Sequence, residues 1–196
     1  IEPIFNCHKT CYVGQNIKYD ILILRRYGIE VKGELFDTMI AAHLLNPDRR
    51  SYKMDFLSVD YLDYEMIPIE SLIGPKGKNQ KLMSDVELKS ISYYACEDSD
   101  VALQLYDLLL LELKKQELDK IFYEIEIPTM KVLIDMEYEG INIDLNFFQK
   151  LSEKIGKDIE LISRNIFSYT DTEFNINSPK QLSEVLFDQL GLEPVK

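Results

Sequence analysis

The sequence predicts an α/β layer followed by a mainly helical extension, and three observations carry that reading. Short apolar runs alternate with amphipathic segments through the N-terminal part, the pattern of strands and helices in turn. From about Lys120 onward helical periodicity takes over. Only two strand-like runs precede that change, too few for a stable sheet, so the layer reads as truncated, with most of its sheet upstream. The boundary follows the change of character: residues 1–119 as the α/β part and residues 120–196 as the helical extension.

Element by element, Cys11-Tyr-Val-Gly14 reads as the end of a short buried strand. Asn16 to Tyr27 follows as a helix with Ile17, Ile21 and Leu24 on one face, closed by Gly28. Glu34-Leu-Phe36 is a second strand, and Asp37 is placed to cap the helix that carries Met39, Ile40, Ala42, His43 and Leu44. Asn46-Pro-Asp48 stops it, and Met54 to Leu62 is a further helix. Ser84-Asp-Val-Glu87 has the form of a capping box leading into a long helical region from about Leu88 to Leu118. Phe122 to Tyr138 predicts a helix kinked or broken at Pro128. Asp144 caps the next helix, which runs to about Tyr169, and Asn177-Ser-Pro179 opens a last one ending at Gly191.

Composition narrows the function classes. Apolar residues make up 46% of 196, ample for a core and inconsistent with disorder. The most apolar stretch, Val101 to Leu113, is interrupted by Gln104, Asp107 and Glu112, so no segment reads as a membrane span. The opening Ile1-Glu-Pro-Ile-Phe5 has neither a basic region nor an initiator Met and reads as internal to a longer protein. Cys7, His8 and Cys11 have no second Cys/His pair to complete a zinc site, since the only other histidine is His43. Three unpaired cysteines fit reduced thiols in a cytoplasm. A formal net charge of −12 argues against a broad basic face for nucleic acid. It permits an acidic pocket loaded with divalent ions and helped by a few basic loops. Gly74 to Lys81 is such a loop, and Lys76, Lys78 and Lys81 are its candidate nucleic-acid contacts.

Two clusters carry chemistry. In Val13-Gly-Gln-Asn16-Ile-Lys-Tyr-Asp20, Asn16 and Asp20 are one turn apart at a strand-to-helix junction. The plain alternative is a capping Asn16 and a solvated Asp20. In Tyr94-Ala-Cys-Glu-Asp98-Ser-Asp100, Tyr94 and Asp98 again share a helix face. A carboxylate that holds a divalent ion beside a phenol that orients water suits metal-assisted hydrolysis. An exposed acidic turn with a half-buried tyrosine is the plain alternative.

Taken together the clusters resemble the second and third motifs of the DEDD exonuclease superfamily, tyrosine subclass. The resemblance extends to Phe36-Asp-Thr-Met39, Leu45-Asn46, Met54-Asp55, Gly77-Lys-Asn-Gln80 and the run to Leu105, all similar to the proofreading domain of family A DNA polymerases. Ile125-Glu-Ile-Pro128, Glu139-Gly-Ile-Asn-Ile-Asp144 and Phe174-Asn-Ile-Asn-Ser-Pro-Lys-Gln-Leu182 resemble the opening of that family's polymerase domain, the base of its thumb.

The resemblance implies a ribonuclease H-like exonuclease layer acting on the single-stranded 3′ end of DNA, joined to a domain that holds primer-template, in a cytoplasmic, nucleoid-associated enzyme. It implies metal-binding carboxylates at Asp20 and Asp98, a water-positioning phenol at Tyr94, a supporting Asn16 and two Mg²⁺ or Mn²⁺ ions. The family's first motif, an Asp-x-Glu, is expected upstream. The triplets Asp63-Tyr-Glu65, Asp158-Ile-Glu160 and Asp171-Thr-Glu173 read as solvated surface charges. With half the ligands absent, these residues alone are expected to bind at most one ion weakly and to be inactive, and to self-associate through an exposed sheet edge. A ribonuclease D-like exoribonuclease and a catalytically dead DNA-binding or scaffolding module are the alternatives; the thumb-like segment favours the polymerase.

Overall fold

Cys11–Gly14 (β1) and Glu34–Asp37 (β2) pair in parallel, in register from Cys11 opposite Glu34 to Gly14 opposite Asp37, in a computed structural model that describes residues 2–170 and 172–193. Parallel neighbours need a crossover, and the helix Ile17–Arg26 (α2) supplies it. A short helix, Glu2–Phe5 (α1), precedes β1. The register brings Gly14 and Asp37 to the same end of the pair, so α2 and the helix Thr38–Leu45 (α3) both begin there. That shared end is where the candidate site forms. Gly33 lets β2 start close against β1. A Cβ there would sit 2.0 Å from the Thr10 carbonyl oxygen and 2.5 Å from the Tyr12 ring.

Met54–Leu62 (α4) and Glu70–Ile73 (α5) lead to a 3₁₀ turn at Met83–Asp85 and then to the long helix Leu88–Lys115 (α6). The expected capping box at Ser84 does not form. The Asp85 carboxylate instead accepts from the Leu82 amide at 3.2 Å, closing the 3₁₀ turn, and α6 begins after Glu87 without a side-chain cap. The acidic side chain available for reaching back is thus used one turn early.

The core gathers Leu35 and Phe36 of β2, Ala41 and Ala42 of α3, Leu57 of α4, and Val101, Leu105, Leu109 and Leu113 of α6. Those α6 residues recur every fourth position or nearly so, which makes one buried stripe along the helix. Phe36 meets the Tyr106 ring edge-on at 4.7 Å and the Phe122 ring at 4.8 Å.

After Asp119–Ile121 (α7) the chain makes a wide π-helical turn over Phe122–Glu126 and continues as Ile127–Glu139 (α8). Pro128 has no amide hydrogen to return to the preceding turn. The wide turn takes up that mismatch, so the expected kink or break becomes a local change of helix type. α8 packs on α2 and β2 through Ile127, Met130 and Ile134. Lys18–Glu137 and Arg25–Asp135 ion pairs and the Arg25 guanidinium, 4.1 Å from the Tyr138 ring centre, fasten the same pair of helices. The first compact unit accordingly runs to Gly140, one helix past the change of composition near Lys120.

The second unit begins at Ile141. Asp144 accepts from the Phe147 amide at 3.0 Å and caps Leu145–Phe167 (α9), an amphipathic helix with no buried residue. Ser178 caps Pro179–Ser183 (α10), as its position before a proline predicts, and a π-helical stretch Glu184–Gln189 follows. Among the described residues no helix is long and apolar enough to cross a membrane.

Candidate functional site

An open cavity of about 960 Å³ runs beside β1, with walls from α2 and α6. Its lining is largely apolar, with Val13, Ile21 and Ala102 among the residues, and two carboxylates face into it: Asp20 from the first turn of α2 and Asp98 from α6. Two residues that the sequence places on separate motifs therefore share one cleft. Tyr94 stands one turn before Asp98 on α6, half-buried and outside the cavity lining.

The reason α6 carries these groups is visible in its stripe. Tyr94 and Asp98 continue, at four-residue spacing, the line of Val101, Leu105, Leu109 and Leu113. The line is apolar where the helix is covered by α3, α4 and β1 and becomes polar where that cover ends.

Asn16 precedes α2 in the left-handed region, at φ 55 and ψ 47, and its side chain makes no capping bond. Its part is played by the backbone, whose amide donates to Asp37 at 3.2 Å. The plain reading of Asn16 as the cap is thus corrected: the acceptor at the start of α2 is Asp37, brought there by the β1–β2 register. Lys76, Lys78 and Lys81 are exposed on the loop after α5, outside the cavity lining, and form no ion pair with the described residues.

Electrostatics mark the cleft. Removal from water pushes the carboxyl of Asp20 above the ordinary carboxylate value even though that residue remains accessible on the cleft wall. Burial and then the neighbouring Glu97 do the same for Asp98. The Tyr94 phenol is raised by burial first and then by Asp98, Glu97, Asp55 and Glu70, so it stays protonated at neutral pH.

Three supporting residues escape sequence reading. Asp37 takes amides from both α2 and α3. Gln15 accepts from Thr38 at 2.5 Å and donates to the Tyr52 carbonyl at 2.5 Å. Glu97 accepts from the Tyr64 hydroxyl at 2.7 Å and the Ile67 amide at 2.9 Å, tying the segment after α4 to α6 beside Asp98. Partners so distant in sequence leave no periodic signal.

A sequence profile described as 3′-5′ exonuclease matches residues 1–114, the part that contains β1, α2 and nearly all of α6. The chain belongs to the 3′-5′ exonuclease family. A second profile, DNA polymerase family A, matches residues 145–196. Among similar proteins, the DNA polymerase I of Borreliella burgdorferi is 36% identical over 92% of the chain and 19% of its own length. That of Treponema pallidum is 35% identical over 100% of the chain and 20% of its own length. The chain thus spans about a fifth of these curated relatives. The solved POL domain of Pol1 from M. smegmatis, in complex with DNA primer-template and dNTP, is 26% identical, with a TM-score of 0.71 over 100% of this chain and 30% of that one.

In this exonuclease chain the donor set fits a hard divalent cation in kind but not in number. Asp20 and Asp98 offer the oxygen ligands that Mg²⁺ or Mn²⁺ prefers, in a cleft where a cation would relieve their desolvation. Among the described residues no group of three or more His, Cys, Asp or Glu side chains converges as a metal-binding set. The triplets at Asp63 and Asp158 are exposed and do not line the cleft. Asp171 lies outside the described residues.

Proposed function

We propose that this chain is an internal stretch of a DNA polymerase I, comprising part of its 3′→5′ proofreading exonuclease and the first helices of its polymerase domain. The observation that carries the reading is the placement of Asp20 and Asp98, from separate helices, in the walls of one cleft at the end of β1. In this reading β1, α2 and β2 are part of a ribonuclease H-like layer. Residues 1–119 belong to the exonuclease, and residues 120–196 open the polymerase domain.

The substrate is the single-stranded 3′ end of DNA, and the polymerase domain holds primer-template. Asp20 and Asp98 supply part of the ligand set for two divalent ions, which when bound activate water and stabilise the leaving 3′ oxygen. The remaining carboxylates come from outside these residues. Tyr94, neutral and on the Asp98 face of α6, orients the attacking water through its hydroxyl. Lys76, Lys78 and Lys81 are placed to meet the DNA backbone. The enzyme works in a bacterial cytoplasm, at the nucleoid.

The test is degradation of a 3′-labelled single strand with Mg²⁺, comparing this chain with the full-length polymerase. The full-length enzyme trims, and the chain alone trims little or not at all, because two carboxylates cannot offset the repulsion between two close divalent ions. In the full-length enzyme Asp98→Ala lowers trimming at least about a hundredfold, by analogy with the loss of a preorganised charged group, while nucleotide addition stays near wild type. Tyr94→Phe lowers trimming less. Robust trimming by the isolated chain would overturn the claim that the site is incomplete. Unchanged trimming in Asp98→Ala would overturn the placement of the site.

A further inference from the structure

We infer that Asp37 is a positioning residue for the cleft: one buried carboxylate joins the first turns of α2 and α3 and so fixes where Asp20 stands. The inference rests on the exonuclease reading above for its consequence, and on hydrogen-bond geometry for its substance.

Asp37 is 0% exposed. Its Oδ1 accepts from the amides of Asn16 at 3.2 Å, Met39 at 2.9 Å and Ile40 at 3.2 Å. Its Oδ2 accepts from the amide of Ile17 at 2.8 Å. The bonds to Met39 and Ile40 are an ordinary N-cap for α3. Those to Asn16 and Ile17 perform the same service for a second helix, whose own cap residue provides no side-chain acceptor. Two helix N-termini, each with unpaired amides and a positive dipole end, thus converge on one anion.

The convergence follows from the register, because Gly14 lies opposite Asp37 and α2 and α3 leave from the two strand ends. Thr38 adds a neighbouring tie by donating to the Gly14 carbonyl at 3.2 Å. Asp20 lies three residues after Ile17, within the same first turn, and its side chain forms no hydrogen bond to another residue among those described. Its place in the cleft is therefore inherited from that turn. Along the rest of α2, Lys18 and Arg25 are tethered to α8 at the surface. The N-terminus is the end that Asp37 controls.

The two carboxylate oxygens make a selective test available. In Asp37→Asn an amide oxygen in the Oδ1 place keeps three of the four bonds, while the NH₂ group faces the Ile17 amide and can accept nothing. α3 stays capped and α2 loses its anchor. Asp37→Ser is the companion variant: a hydroxyl caps α3 but is too short to serve both helices.

In the chain itself, hydrogen exchange at the Ile17 amide is expected to accelerate at least about tenfold in either variant, relative to Met39 and Ile40. In the full-length polymerase, kcat for 3′ trimming is expected to fall about tenfold or more. The Mg²⁺ concentration for half-maximal trimming is expected to rise, with KM for the single strand and the rate of nucleotide addition unchanged. A role limited to stability would lower the melting temperature and leave the Mg²⁺ requirement of the folded enzyme where it was, and that result would overturn the inference. Equal acceleration at Ile17, Met39 and Ile40 would also overturn it. If the wild-type enzyme does not trim at all, the exonuclease reading fails, while exchange still decides whether Asp37 anchors α2.

Discussion

Asp98 shows how a single side chain is held in a position unfavourable to its own charge. Burial, with Glu97 beside it, raises its carboxyl above the ordinary value. For an acid whose folded pKa exceeds its unfolded one, the unfolded state gives up its proton first as pH rises. The relative stability is therefore greatest below the unfolded pKa and is lost as pH climbs through the folded value. Removing the charge should reverse that loss. Asp98→Asn is expected to melt above the parent chain at pH 7, by one to a few degrees, about what a fraction of a kcal/mol produces. The gap should close as pH falls toward the ordinary carboxylate range. Thermal melting at stepped pH without divalent ions checks this, and a variant melting below the parent at pH 7 would contradict it. Excess Mg²⁺ should narrow the gap from the other side, because a cation beside Asp98 stabilises the ionised form only in the parent.

At the scale of elements, α6 divides its labour lengthwise. Its C-terminal half is a core stripe and its N-terminal half a wall of the cleft, so the core half fixes the direction in which Tyr94 and Asp98 project. Leu109→Ala, at a position 0% exposed, is expected to destabilise the first unit by about 2–5 kcal/mol. Leu111→Ala on the same helix, at 61% exposed, should stay within about 0.5 kcal/mol. Denaturant titration of both variants tests the assignment of faces. This stripe was legible in the sequence because helix periodicity writes burial directly into spacing. The β1 and β2 runs and the caps at Asp37, Asp144 and Ser178 were legible for the same local reason. The second helix served by Asp37 was not, because it depends on strand register, and neither were the partners of Glu97. The capping box at Ser84 misled because Asp85 found a nearer amide. Asp20 and Asp98 were named from sequence as a pair by resemblance; spacing alone left each with a plain alternative.

At the scale of the whole molecule, apolar surface and net charge oppose each other. Among the described residues β1 pairs only with β2, and the cavity along it is lined mainly by apolar side chains. In the second unit Phe147, Phe148, Ile159 and Ile162 are exposed on α9. Such surfaces recruit partners. A formal charge of −12 repels a second copy, and salt screens that repulsion over about 10 Å at 0.1 M. The chain is therefore expected to self-associate, and more strongly as ionic strength rises. Sedimentation velocity in low and high NaCl measures this; a monodisperse monomer at both would contradict it.

The wide turn before Pro128 has a consequence for how the chain tolerates insertion and deletion. A π turn inside an α-helix holds one residue more than regular winding needs. Loss of a single residue between Phe122 and Glu126 would restore regular winding and rotate everything beyond it by about 100° around the helix axis. Ile127, Met130 and Ile134 would then swing off α2 and β2, and Lys131 or Asp135 would be carried toward the place they left. A frame-preserving codon loss in this stretch is thus a change of helix face, felt along the full length of α8, whereas the same loss in the exposed loop after α5 would shorten only a turn.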